Sequence, residues 1–122
     1  MEIRTDKYSV VYDATTVTCE GSLLLNGAKE YEPILNLLNM AAEQQQSKSE
    51  GLTGDLQDLK FLNSSGINMM TKFVINICDI EPMDLKLKVM IDAKVLWQEK
   101  LAKNLKRLMP ELVVQSSTHK EP

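Results

Sequence analysis

Three stretches of this chain carry apolar residues at helical spacing, and each follows a short run rich in Val, Ile, Leu, Tyr or Thr; that alternation most narrows the folds open to it. The first helical stretch, 28–46, aligns Tyr31, Ile34, Leu35, Leu38 and Ala42. The second, running to about residue 80, aligns Ile67, Met70, Phe73, Val74 and Ile77. The third aligns Leu96, Trp97, Leu101, Leu105 and Leu108. Between Tyr8 and Leu25 the chain is rich in Val, Tyr, Thr and Leu and broken at 13–15 and at Glu20-Gly21, which predicts two adjacent antiparallel strands with room for a third. Leu52 to Leu59 predicts one strand, residues 85–91 a buried one, and Leu112 to Val114 a short last one. Pro33 falls in the first turns of the first helix, and Pro82 and Pro110 end the second and third. The order β-β-α-β-α-β-α, with a final β, implies an α/β fold in which a mixed sheet is flanked by helices.

The 122 residues suffice for one core without metal or disulfide staples. They are expected to form a single domain over 1–115 with a polar tail over 116–122 that has no reason to order. Cys19 and Cys78 lie far apart in apolar or β-rich surroundings, so buried free thiols are expected. The one histidine, His119, sits in the tail, and no ligand spacing exists for a metal, so neither metal nor cofactor is expected. No signal-peptide pattern or membrane-length apolar run occurs, which points to a soluble, cytoplasmic protein without a membrane partner. The formal charge of −3 and the 5% aromatic content argue against a nucleic-acid partner. Lys94, Lys100, Lys103, Lys106 and Arg107, with Asp92 and Glu99 nearby, read as a solvated helix face. Trp97, Met70, Met83 and Met90 read as core, whereas Met69 lies off its stripe and is expected on a partner surface. Catalysis lacks its parts: no imidazole is available to a serine, no nucleophile elbow or Walker loop is present, and Asp55 and Asp58 read as solvated turn residues.

The segment Phe61-Leu62-Asn63-Ser64-Ser65-Gly66 exceeds what folding alone requires. It gathers small polar residues between a strand and a helix, at the sheet edge where open α/β proteins bind ligands and partners. Ser64 or Ser65 would cap the helix, which accounts for one serine. A hydroxyl there also suits phosphorylation, because the dianion would face the positive end of the helix.

Residues 58–67, Asp58-Leu59-Lys60-Phe61-Leu62-Asn63-Ser64-Ser65-Gly66-Ile67, with a strand before and an apolar helix after, resemble the signature of the STAS domain of bacterial anti-sigma factor antagonists, and the element order matches from about Tyr8 to Val114. The resemblance implies a STAS-like protein-binding switch and not an enzyme. The residue before the glycine, here Ser65, would be phosphorylated by a partner protein kinase of the anti-sigma factor type and released by a phosphatase, with Ser64 as second choice. The unmodified form would bind the kinase or a regulated output enzyme such as a nucleotide cyclase through Asn63, Ser64, Ser65, Gly66, Ile67, Met69 and Met70. One position departs from the pattern: Asn63 stands where the family has aspartate, so recognition through that carboxylate does not carry over. Two alternatives stand beside this reading. One is a STAS-like adaptor that is never phosphorylated, and the other is a binder of a small anion or nucleotide through the N–H groups of Gly66 and Ile67.

Overall fold

The computed structural model of the chain describes residues 1–79 and 85–117, so the readings placed on Pro82, Met83 and His119 lie outside the described residues. The elements follow the order β1 (Glu2–Arg4), β2 (Tyr8–Asp13), β3 (Thr16–Leu23), α1 (Gly27–Ser47), β4 (Leu52–Asp55), β5 (Leu59–Leu62), α2 (Ser64–Cys78), β6 (Leu87–Asp92), α3 (Leu96–Leu108) and β7 (Val113–Ser117). The sheet runs β1-β2-β3-β4-β6-β7. β1, β2 and β3 pair antiparallel, while β3–β4, β4–β6 and β6–β7 pair parallel, and β5 pairs in parallel with the far end of β3.

Strand alternation sorts the two faces of the sheet. Val10, Val17, Cys19, Leu23, Leu52, Leu87, Val89 and Ile91 point into one continuous core with the apolar faces of all three helices. Ser9, Thr18, Thr53 and Lys88, on the opposite parity, form the other face. The architecture is therefore an α/β two-layer arrangement with a mixed sheet. No helix among the described residues is long and apolar enough to cross a membrane.

Four differences from the sequence expectations have identifiable causes. β1 holds a single apolar residue, Ile3, and gave no periodic signal. The strand expected over Leu52–Leu59 is two strands, because the chain steps away from β6 after Leu56. Gln98 of α3 fills the gap: its Oε1 accepts from the Asp92 N–H at 2.7 Å, and its Nε2 donates to the Leu56 and Leu59 carbonyls at 2.7 and 3.0 Å. The buried face of α3 is accordingly Gln98, Leu101, Ala102 and Leu105, while Leu96 and Leu108 are exposed. Trp97 is half-buried and donates its indole N–H to the Lys60 carbonyl at 3.1 Å. Finally, β7 continues to Ser117, taking up the first two residues of the expected tail, because its backbone pairs with β6 as far as Asp92.

Both thiols are free. Cys19 is buried, and burial, helped by the nearby Asp55 charge, pushes its pKa up to about 12. Cys78 is exposed, contrary to expectation, because it closes α2 at the helix end.

Under Gly54 lies an apolar cavity of about 40 Å³ bounded by residues such as Val17, Leu52, Phe73 and Leu105. A Cβ at Gly54 would meet nothing within 4 Å. Gly54→Ala should therefore stabilise the fold by up to about 1 kcal/mol, by restricting the unfolded chain while the methyl clashes with nothing. Thermal unfolding should show Tm rising by a few degrees.

Candidate functional site

The second helix begins where β5 ends, and the residue that fixes its start is Asn63. Extended at φ −84° and ψ 178°, Asn63 is the N-cap: its Oδ1 accepts from the Gly66 N–H at 3.0 Å. The same oxygen lies 2.8 Å from the Tyr31 hydroxyl, and Nδ2 donates to the Leu25 carbonyl at 2.7 Å. The Asn63 backbone N–H donates to the Leu23 carbonyl at 3.2 Å, and its carbonyl accepts from the Ile67 N–H at 2.9 Å. One side chain thus ties α2 to α1 and to the connection between β3 and α1. Capping by Ser64 or Ser65 is corrected accordingly: both serines lie inside the first turn, and asparagine, itself a strong N-cap residue, takes the role.

The amide also explains why asparagine stands here. A carboxylate would turn an oxygen toward the Leu25 carbonyl where Nδ2 now donates. Tyr31 closes the same network. Its hydroxyl lies 2.9 Å from the Leu23 carbonyl, and burial pushes the phenol pKa up, partly opposed by the hydrogen bond to the Leu25 backbone. The phenol stays protonated and available as a donor.

Gly66 is required by packing. A Cβ there would come within 2.3 Å of Leu62 Cδ1 and 2.8 Å of the Tyr31 hydroxyl, which is already pinned. Leu62 can swing but Tyr31 cannot. Gly66→Ala should cost about 2 kcal/mol, an overpacking penalty visible as a lower urea midpoint at unchanged m.

Ser64 is exposed and Ser65 half-buried. Ser65 Oγ accepts a hydrogen bond from the Gly27 N–H at 3.2 Å, so the first residue of α1 meets the second residue of α2. This junction is the mouth of a groove of about 580 Å³ between the two helices. Leu35 and Met69 line it together with Lys29 and Glu32 of α1 and Asn68 and Lys72 of α2.

The residues expected to meet a partner separate by burial. Ser64 is open to solvent, Asn63, Ser65 and Ile67 are half-buried, and Gly66, Met69 and Met70 are buried. Met69 is only 4% exposed and lines the groove, and Met70 is 7% exposed in the core, so neither projects as the contact residue expected of it. The anion site drawn from the Gly66 and Ile67 N–H groups is corrected as well, because both donate to Asn63. Lys29, Glu32, Asn68 and Lys72 were not foreseen. Asn68 and Lys72 recur at helical spacing from Ser65, but nothing in the sequence indicates that α1 would face them.

No known family profile matches the chain, and no curated protein matches it. Among solved structures, the chain superposes on the SiaC chain of the crystal structure of diguanylate cyclase SiaD in complex with its activator SiaC from Pseudomonas aeruginosa. The TM-score is 0.68 at 15% identity, over 96% of this chain and 99% of that one. The fold is STAS-like. That likeness spans nearly the full length of both chains, so the strand-to-helix junction bearing Ser65 belongs to a STAS-like architecture throughout.

Proposed function

We propose that this protein is a non-enzymatic cytoplasmic regulator that binds a partner through the Ser65 junction and is switched by phosphorylation of Ser65. A protein kinase of the anti-sigma factor type would add the phosphate, and a phosphatase would remove it. The regulated partner is a nucleotide cyclase of the diguanylate cyclase class. The structurally similar SiaC, the activator of the diguanylate cyclase SiaD, supports that choice.

The observation that carries the reading is the placement of Ser65 Oγ at the groove mouth, held by the Gly27 N–H and half-exposed on a junction fixed by Asn63. A partner can reach this hydroxyl, and adding about two negative charges there would oppose an interface formed around a neutral group. The same hydrogen bond favours the passive alternative, in which Ser65 only joins two helices and the protein is an adaptor that is never modified.

Incubation of the full chain with ATP and its cognate kinase, followed by mass spectrometry, separates the two. One phosphate should appear on the wild type and on Ser64→Ala and be absent from Ser65→Ala. An unchanged wild-type mass would leave the adaptor.

A further inference from the structure

Phosphate on Ser65 would not stand alone. We infer that Lys29 and Lys72 capture it from the two sides of the groove, so that the modified protein closes its own binding groove. This inference rests on Ser65 being the phosphoacceptor, and it concerns what the phosphate does once attached. Lys29 and Lys72 come from different helices, line the same groove as Ser65, and are both exposed. Among the described residues neither has an ion-pair partner.

Lys72 follows Ser65 by seven residues, two turns and about 10 Å along the axis on the same side of α2, and helical side chains tilt back toward the N-terminus. Lys29 lies two residues beyond Gly27, whose N–H already touches Ser65 Oγ. The charged or titratable groups facing the position are Lys29, Tyr31 and Glu32 from α1 and Lys72 from α2, so cations outnumber the one carboxylate. An ammonium drawn from each helix would bridge α1 and α2 over Leu35 and Met69. Phosphorylation would then remove two basic groups and the apolar lining from a partner's reach, in addition to adding repulsion. The attraction is strongest for the dianion: it is fully present above the ordinary second ionisation near pH 6 and weakens to that of the monoanion as pH falls through the lowered value.

The test uses the full chain carrying genetically encoded phosphoserine at position 65, which needs no kinase. Phosphorus NMR titration reads the second ionisation in the otherwise wild-type chain and in Lys29→Gln, Lys72→Gln, the double variant and the distant control Lys100→Gln. The wild-type background and Lys100→Gln should titrate about one unit below an unstructured phosphoserine, a tenfold change in the protonation constant. Each single groove variant should recover part of that shift and the double variant most of it. An ordinary value in the lysine-bearing chain, or an equal depression in the double variant, would overturn the capture. Failure of kinase labelling would count against the phosphoswitch and leave this result standing.

Discussion

Gln98→Leu should lower the stability of the protein by about 4 kcal/mol, more than any other single substitution considered. Gln98 is fully buried and satisfies three backbone groups, the Asp92 N–H and the Leu56 and Leu59 carbonyls. Leucine fits the volume but removes this partner from the Asp92 N–H and the Leu59 carbonyl, while the Leu56 carbonyl keeps the Leu59 N–H at 3.0 Å, and a buried polar group so stranded costs about 1–3 kcal/mol. For a domain of this size the loss corresponds to a fall in Tm of roughly 15 °C, measurable by circular dichroism. Lys100→Ala, exposed on the same helix, should stay within about 0.5 kcal/mol of wild type. The effect would also reach the site, because the carbonyls that Gln98 holds lie at the step leading into β5, and β5 delivers Asn63.

Asn63→Ala should cost about 3 kcal/mol, through the lost cap on the Gly66 N–H, the lost contact with Tyr31 and the unpartnered Leu25 carbonyl. The more discriminating variant is Asn63→Asp, which introduces the residue usual in the STAS signature. The new carboxylate gains up to about 1 kcal/mol from the helix N-terminus but sets an oxygen against the Leu25 carbonyl, so a net loss of about 2 kcal/mol is expected. Chemical denaturation of the three proteins gives the ranking wild type, Asp, Ala. A variant with aspartate as stable as wild type would show that the Nδ2 bond to Leu25 does not explain the asparagine.

The helices were legible because their apolar residues repeat at a fixed spacing, and the parallel β6 because its apolar run is bounded by charge. Gln45 and Gln98 were not, since a glutamine reads as solvent-facing until the backbone groups it satisfies are known. Gln45 accepts from the Tyr12 hydroxyl at 2.7 Å and donates to the Gly51 carbonyl at 2.9 Å, deep under α1. At the site, the strand-to-helix setting of Ser65 could be read from residues 61–66 alone. Its neighbour Gly27 could not, lying 38 positions away. Asn63 reads in the sequence as a charge lost from the aspartate pattern, and what no sequence shows is the acceptor of its amide donor, the Leu25 carbonyl, through which it joins α2 to the loop before α1.

The account turns on a charge at Ser65 reversing an association. Calorimetric titration of a diguanylate cyclase from the same cells with the unmodified chain, and with the chain carrying phosphoserine at position 65, tests this most directly. Saturable binding of the unmodified form, weakened about a hundredfold or more by the phosphate, is the predicted result. Equal affinity for the two forms would contradict it.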